Sequence, residues 1–287
     1  MNKQMIDDKI KDLRLVVGTS GGKDSTALCL YLMEMGYCKS DFDRVFIDTG
    51  WEHKHTLEHL NSLEKSLGPI IRLKKEYSVQ NGQLTTEQQE LAEKYEARLG
   101  QPNSPMIRRI IKYKLFPSRR IRWCTSDLKV SPMKRYYDSL NYEFCNVVGI
   151  RQQESFNRSK MEEFEWTDHF DCWTWRPIIT WKLEDVIAIH HRFGIEPNKL
   201  YLNGATRVGC FPCINSNQSE IKLLSYDKKR VSLIRDLENE IIDLRKKYNV
   251  ENGTDRKEIC SFFGSKRTGG EVEYMIQVPD KDLRTRI

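Results

Sequence analysis

The 287-residue sequence contains no run of about eighteen apolar residues, the length that a membrane-spanning helix needs. Its first eight residues, MNKQMIDD, are too polar for the apolar region of a secretory signal peptide. Internal repeats and low-complexity tracts are also absent. We therefore expect a cytoplasmic globular protein that has no membrane partner.

The composition, 39% hydrophobic and 31% charged, suits one substantial α/β core with a smaller appendage, or two modest domains. Eight cysteines do not indicate a disulfide scaffold, because a reducing compartment keeps thiols free. Some of them should be metal-bound or catalytic. Cys29, Cys38 and Cys145 lie in or beside apolar patterns that are typical of packing.

Positive charge is concentrated in one segment, between residues 108 and 135. It contains one acid, Asp127, and ten basic residues: Arg108, Arg109, Lys112, Lys114, Arg119, Arg120, Arg122, Lys129, Lys134 and Arg135. This excess is larger than the net charge of +6 on the whole chain. Such clustering predicts a phosphate-rich partner, either a nucleotide or a nucleic acid such as DNA or tRNA. A solvated basic face is the alternative.

Short apolar runs alternate with helical patterns in the first part of the chain. Residues 13–18, 44–48 and 69–73 read as buried strands, and helical periodicity follows the first two. The order β-α-β-α-β predicts an α/β fold with a doubly wound, mostly parallel sheet and helices on both faces. The run at residues 146–150 resumes this sheet.

The rhythm of strands and helices breaks over residues 75–120, which we interpret as an insertion or lid. Beyond Ser225, apolar residues recur at three- and four-residue steps, as in an amphipathic helix. We expect a nucleotide-binding domain over residues 1–214. Residues 215–287 should form a small helical C-terminal region that contains Cys260 and ends in a basic tail.

The strongest local signal is the segment 18–26, whose sequence is GTSGGKDST, between the first strand and the first helical pattern. Glycines let a backbone approach phosphate closely, and the N–H groups at a helix N-terminus attract anions. Lys23 adds a positive charge. The spacing differs from the Walker A pattern, because Asp24 and not a hydroxyl residue follows the lysine.

This loop resembles the SGGxDS signature of the ATP pyrophosphatase (PP-loop) superfamily. Four further segments, in the same order, resemble motifs of the phosphoadenosine phosphosulfate (PAPS) reductase family within it. They are DTG at 48–50, WCTSDLKVSP at 123–132, GIRQQES at 149–155 and RVGCFPC at 207–213. The resemblance covers residues 13–214 and implies the PP-loop (HUP-like) nucleotide-binding fold.

The resemblance also implies roles for individual residues. An adenine nucleotide, either ATP with Mg²⁺ or PAPS or adenosine phosphosulfate, would contact Thr19, Ser20, Gly21, Gly22, Lys23, Asp24, Ser25, Asp48, Gly50, Lys129, Gly149, Arg151 and Arg158. Arginine offers a planar charged fork that suits phosphate or sulfate oxygens. The implied catalytic residues are Lys23, Asp24, Arg151, Glu154 and Cys260. For Glu154, a structural ion pair is the alternative.

Cys210 and Cys213 form a C-x-x-C pair, and in iron–sulfur members of the family a cysteine near position 124 joins such a pair. Those members have two adjacent cysteines, whereas Trp123 precedes Cys124 here. The fourth ligand would then be Cys260, Cys172 or an exogenous group. Four thiolates suit a [4Fe–4S] cluster or Zn²⁺, and spacing alone does not separate these two, or a site with no metal.

The C-terminal part departs from the reductases, whose catalytic cysteine lies in a Glu-Cys-Gly-Leu-His motif. No cysteine follows Cys260 here. The first hypothesis is therefore an ATP pyrophosphatase that adenylates an acceptor during sulfur transfer to DNA or tRNA, with a sulfur-donor protein as partner. The alternatives are a PAPS or adenosine phosphosulfate reductase that uses Cys260, and a non-catalytic nucleotide- or nucleic-acid-binding module.

Overall fold

The computed structural model describes residues 3–255 and 261–262. Its strands are β1 (Arg14–Gly18), β2 (Phe42–Asp48), β3 (Ile70–Lys74), β4 (Phe144–Val147), β5 (Phe164–Thr167) and β6 (Cys172–Trp175). They form one six-stranded sheet in the order β3-β2-β1-β4-β6-β5. Five strands are parallel and β5 pairs antiparallel with β6. The predicted mostly parallel α/β sheet is confirmed.

Helices surround this sheet. They are α1 (Lys3–Ile10), α2 (Lys23–Glu34), α3 (Lys54–Leu67), α4 (Thr86–Leu99), α5 (Pro105–Tyr113), α6 (Trp123–Thr125), α7 (Ser131–Asp138), α8 (Leu183–Arg192), α9 (Lys199–Leu202), α10 (Gln218–Tyr226) and α11 (Lys228–Asn252). A π-helical segment, Ser126–Val130, connects α6 to α7. In the described part of the chain, no helix combines the length and apolar character of a membrane span.

Both faces of the sheet are covered, as the doubly wound arrangement requires. Leu15 and Val17 lie in a hydrophobic cluster with residues of α2, α3 and α8. Val16, between them, lies in a second cluster with Met133 and Tyr137 of α7. Successive side chains of a strand point to opposite faces, so β1 is buried on both sides.

Two sequence predictions need correction. The strand expected at 146–150 is β4 at Phe144–Val147, and the hairpin of β5 and β6 was not predicted because two four-residue strands give little periodicity. Cys29 and Cys145 are buried, as expected for packing residues, but Cys38 is exposed. Packing therefore does not explain Cys38.

The segment 75–120 is a helical insertion between β3 and β4. Residues of α4 and α5 share a hydrophobic cluster with α11, which is the amphipathic helix predicted beyond Ser225. The Tyr95 hydroxyl donates to the carbonyl oxygen of Asp236 at 3.0 Å across this contact. The insertion is thus packed on α11. The domain boundary at residue 214 stays a prediction.

The strand order determines where a ligand crevice lies. From β1 the chain runs through β2 to β3 on one side, and then β4 pairs with the other side of β1. Parallel sheets of this kind bind ligands at such a switch point, beyond the carboxyl ends of the strands. The loops that follow β1 and β4 flank this crevice.

Candidate functional site

The turn from β1 into α2 is residues 18–26, which we call the phosphate loop. The Ser25 hydroxyl accepts from the backbone N–H of Ser20 and donates to the carbonyl oxygen of Gly22, both at 3.1 Å. Gly21 has φ 71°, a conformation that favours glycine. Gly22 is the N-cap residue of α2 and, as a glycine, has no side chain that could accept from the first N–H groups of the helix. The loop thus holds its own shape and presents a helix N-terminus to the crevice.

Thr19 lies at the base of the phosphate loop and is buried. Its backbone N–H donates to the carbonyl oxygen of Val45 on β2 at 2.8 Å, and its hydroxyl contacts the sulfur of Cys29 at 3.8 Å. Thr19 therefore anchors the loop to the sheet, and the nucleotide contact predicted for it stays a prediction.

Lys23 is held by residues far along the chain. Its ammonium donates to the carbonyl oxygen of Thr206 at 2.9 Å, lies 4.9 Å from the centre of the Tyr201 ring and is 3.6 Å from Asp24. Its carbonyl oxygen accepts from Nε2 of His190 at 2.9 Å. The ammonium of Lys23, which we predicted to bind phosphate, thus has a defined position beside the loop.

Asp24 joins the phosphate loop to the segment after β4. Its Oδ1 atom lies 2.5 Å from Nε of the buried Arg151. Glu154 accepts from the backbone N–H of Arg151 at 2.8 Å and forms an ion pair with Arg158. The four charged residues predicted from the two motifs therefore lie in one network across the crevice, and Glu154 makes the structural ion pair considered for it.

Gly149 makes the closest approach between these two segments. A Cβ atom at this position would lie 2.8 Å from the carbonyl oxygen of Asp24 and 3.0 Å from Cα of Ser25. Both are backbone atoms, which have no flexible side chain to move away. Glycine at 149 therefore allows the segment after β4 to pack on the start of α2.

The DTG segment at the end of β2 contributes a second group of polar residues. Asp48 pairs with Lys74 at 3.0 Å and accepts from the backbone N–H of Gly50 at 2.7 Å. A Cβ atom on Gly50 would lie 2.5 Å from Cα of Ser104. Gly50 thus permits the approach of the turn before α5, and the nucleotide contacts predicted for it and for Asp48 stay predictions.

The sequence reasoning missed Glu52, which is buried beside this segment. Its carboxylate accepts from the Thr49 hydroxyl at 2.5 Å and from the backbone N–H of Trp51 at 3.0 Å. Burial, and then the negative charge of Asp48, raise the pKa of Glu52. Its position two residues after the DTG motif was the only available signal.

Three predicted metal ligands, Cys124, Cys210 and Cys213, pack against one hydrophobic cluster and form what we call the thiol cluster. Cys210 lies 3.5 Å from the Thr49 hydroxyl and pairs with Glu52 in an isolated β-bridge. The thiol cluster therefore borders the end of β2. Burial raises the pKa of Cys210 to about 11, and burial also raises that of Cys124.

Lys129 lies in the π-helical segment and faces the thiol cluster. The negative charge that Cys210 carries when ionised is the first cause that raises the pKa of Lys129. Burial lowers this pKa, and the charge of Glu52 raises it further. Local π-helical geometry is frequent at functional sites. Lys129 is thus a cation of the thiol cluster, and its predicted contact with a nucleotide stays a prediction.

Residues 3–255 and 261–262 contain no group of three or more Cys, His, Asp or Glu side chains arranged to hold a metal ion. Cys260, the fourth predicted ligand and the candidate nucleophile, lies outside the described residues. The described donors alone do not fit a metal. The [4Fe–4S] cluster and the alternative Zn²⁺ stay predictions.

The basic segment 108–135 is not uniformly available to a partner. Arg108 is buried and donates to Glu96 at 2.6 Å, and Arg109 pairs with Asp127 at 2.8 Å. Three arginines before α6 are exposed: Arg119, Arg120 and Arg122. Part of the charge that the sequence assigned to a phosphate-rich partner therefore stabilises the insertion.

Comparison with known proteins decides the family. Residues 14–216 match the family described as phosphoadenosine phosphosulfate reductase domain. The chain belongs to the PAPS reductase domain family. The match covers both loops of the crevice and the C-x-x-C pair, so the resemblance stated from the motifs is confirmed.

Two proteins that are similar in sequence to this chain are described as uncharacterized proteins. One, a 37.8 kDa protein in the gpa 5′ region of Escherichia phage 186, is 34% identical over 240 residues, covering 72% of this chain and 68% of the relative. The other, from Methanocaldococcus jannaschii, is 31% identical over 259 residues, covering 87% of this chain and 46% of the relative. The chain thus spans about half the length of the archaeal protein.

Among solved structures, the fold is similar to a PAPS reductase from Candida auris in a phosphate complex. The TM-score is 0.49 with 17% sequence identity, and the similarity covers 73% of this chain and 87% of that chain.

Proposed function

We propose that this member of the PAPS reductase domain family is an ATP pyrophosphatase that adenylates an acceptor, in a sulfur-transfer reaction on a nucleic acid. The observation that carries the proposal is the contact between Asp24 of the phosphate loop and Arg151 at 2.5 Å. It places a permanently charged guanidinium beside a loop that ends in a helix N-terminus. Lys23 adds a second cation at the same edge of the sheet.

This arrangement suits a reaction in which pyrophosphate leaves. An acceptor oxygen would attack the α-phosphorus of ATP, the bond from that phosphorus to the bridging oxygen would break, and pyrophosphate would take the electron pair. Lys23, Arg151 and the N-terminus of α2 would stabilise the charge that develops on the leaving group. Mg²⁺ would enter with the nucleotide as part of the substrate and neutralise phosphate oxygens.

The sequence around Cys260 favours this chemistry over sulfonucleotide reduction. A reductase needs a thiolate that attacks the sulfonate sulfur, and Cys260 is the cysteine considered for that role. Its surroundings, Glu258-Ile259-Cys260-Ser261, depart from the Glu-Cys-Gly-Leu-His motif of the reductases.

The exposed arginines before α6 support a nucleic acid as the acceptor. Arg119, Arg120 and Arg122 are exposed within four residues, whereas the neighbouring Arg108 and Arg109 are engaged in ion pairs. Exposed arginine clusters bind phosphate backbones. For the sulfur atom we propose a separate sulfur-donor protein that carries a persulfide. A thiolate of the thiol cluster would attack the outer sulfur of this persulfide, the S–S bond of the donor would break, and the donor's thiolate would leave.

A second candidate function is reduction of PAPS or adenosine phosphosulfate to sulfite. The match of residues 14–216 to the PAPS reductase domain favours it, since the same phosphate loop would hold a sulfonucleotide. In that case Cys260 would act as the nucleophile. The two candidates use different nucleotides and release different products, so one set of assays separates them.

The test measures pyrophosphate and AMP from ATP with Mg²⁺, using the full chain purified without oxygen, with and without DNA or tRNA. A parallel assay measures sulfite from PAPS with a thiol reductant. We expect ATP cleavage that Lys23→Ala abolishes and that Lys65→Ala, an exposed lysine of α3, leaves unchanged. Sulfite release without ATP cleavage would establish the reductase instead.

A further inference from the structure

Tyr201 of α9 reaches the phosphate loop although it lies 178 residues further along the chain. The backbone N–H of Lys23 donates to its hydroxyl oxygen at 3.0 Å. A Cβ atom on Gly22 would lie 3.4 Å from the same oxygen and 3.7 Å from the carbonyl oxygen of Val208. Tyr201 and Val208 thus lie against the phosphate loop.

The hydroxyl of Tyr201 has a hydrogen that this contact does not use. A phenol has one hydrogen and two acceptor lone pairs, and a backbone N–H can only donate. The oxygen is therefore the acceptor towards Lys23. Within residues 3–255 and 261–262, no hydrogen bond from the Tyr201 hydroxyl to an acceptor is found.

Tyr201 stays protonated at physiological pH. Burial is the first cause that raises its pKa, and the charges of Asp24 and Glu154 add to the effect. The hydroxyl is consequently a neutral hydrogen-bond donor beside the loop.

The position of Tyr201 is fixed by the capping and packing of α9. Asn198 caps α9, accepting from the backbone N–H of Leu200 at 3.0 Å, and is itself buried. Its amide nitrogen lies 3.5 Å from the Thr56 hydroxyl of α3. Leu200 is also buried. A side chain whose support is ordered loses little freedom when it binds a ligand.

We propose that Tyr201 completes the phosphate-binding site: its hydroxyl donates to an oxygen of the phosphate chain in the loop, and its ring positions the ammonium of Lys23. This inference rests on the proposed binding of a nucleotide in the phosphate loop. It adds a phosphate-binding residue that lies outside both the phosphate loop and the segment after β4.

The test compares Tyr201→Phe with the wild-type chain. The substitution removes the hydroxyl and keeps the ring under Lys23. Dissociation constants are measured for ATP, inorganic pyrophosphate and adenosine by competition against a fluorescent ATP analogue. Since a hydrogen bond to a charged oxygen is lost, we expect affinity for ATP and pyrophosphate to fall about ten-fold. Affinity for adenosine should not change.

Leu202→Ala is the matched control, because Leu202 lies on the same helix and is 72% exposed. It should bind all three ligands like the wild type. An equal loss for ATP and adenosine in Tyr201→Phe would show a merely structural role, and unchanged ATP affinity would show no contact. Either result would overturn the inference.

The outcomes also separate this inference from the proposed function. If the wild type binds ATP without cleaving it, the proposed adenylation fails, while the comparison of Tyr201→Phe with Leu202→Ala still decides the role of Tyr201. If the wild type binds neither ATP, PAPS nor pyrophosphate, both proposals are overturned.

Discussion

Nε of Arg151 and Oδ1 of Asp24 lie 2.5 Å apart, although 127 residues separate them in the chain. Each follows a strand, β1 or β4, and these strands are neighbours at the switch point of the sheet. The ion pair therefore connects the two segments that flank the crevice. Arg151 also donates to the side chain of Gln153 at 3.1 Å, so two of its nitrogens are oriented by the protein.

Replacing Arg151 by lysine should impair turnover while retaining the charge. Lysine lacks the planar fork that contacts Asp24 and Gln153 together. We expect kcat/KM for ATP cleavage to fall by about one to two orders of magnitude. Arg192→Lys is the control, because Arg192 makes a two-point contact with Glu34 on an exposed surface. Equal turnover in the two variants would contradict the role of Arg151.

Gly149→Ala should lower both stability and nucleotide affinity. The added methyl group would meet backbone atoms of Asp24 and Ser25 at 2.8–3.0 Å, so the start of α2 must shift. We expect a loss of about 1–3 kcal/mol in the free energy of unfolding, measured with urea. Gly209→Ala is the control, since nothing lies within 4 Å of a Cβ there. Identical urea midpoints for the two variants would argue against the close approach.

The sheet and the phosphate loop were predictable because their signals are local. Strands buried on both faces give continuous apolar runs, and the glycines and Lys23 follow such a run directly. The helical periodicity after the second strand was also a valid prediction, since α3 at Lys54–Leu67 is a helix of 14 residues and shows several turns of periodicity. Arg151 was found because it lies in a motif of recognisable order.

Long-range contacts could not be predicted from local patterns. The approach of Tyr201 to Lys23 depends on how α9 packs on α3, which no spacing in the sequence encodes. Arg108 looked like part of an exposed basic face, but Glu96 of the preceding helix neutralises it within the core. Counting charges along the chain does not show which charges are paired.

Stability should decrease as the pH falls from about 6.5 to about 4, in part through His59. Burial, and then the charge of His190, lower the pKa of His59 to about 4 from the ordinary 6.5. In this window the unfolded chain binds a proton that the folded chain excludes, so acid favours unfolding. Above pH 6.5 both states are neutral at this ring and the effect disappears.

His59→Gln removes this titration. Because the ring is only half-buried and solvent screens part of the effect, we expect the variant to reduce the stability lost between pH 7 and pH 4.5 by about 1 kcal/mol. Urea unfolding at both pH values measures it. If the free energy of unfolding falls equally with pH in the wild type and the variant, His59 does not contribute to the pH dependence of stability.

Metal content tests the predicted role of the cysteines. Three described thiols do not form a metal site by themselves, so a bound cluster or zinc ion requires Cys260 or an exogenous ligand. If Cys260 completes such a site, the anaerobically purified chain should contain iron or zinc, and Cys210→Ser and Cys260→Ser should lose it. Cys38→Ser, at an exposed cysteine, should retain it. Full iron content in Cys210→Ser would remove that residue from the ligand set, and zinc in place of iron would support the structural alternative.

Replacing the exposed arginines before α6 tests the proposal that the acceptor is a nucleic acid. Each phosphate contact of a nucleic acid adds about one to the slope of log affinity against log salt concentration. If Arg119, Arg120 and Arg122 contact a backbone, replacing all three by alanine should lower this slope by about two to three for DNA or tRNA. A triple alanine variant at the exposed Lys11, Lys39 and Lys65 removes the same charge elsewhere and should keep the slope. If the arginine variant and the lysine variant have the same salt-dependence slope, the three arginines make no specific phosphate contacts. The acceptor would then have to be sought among small molecules that fit the crevice between β1 and β4.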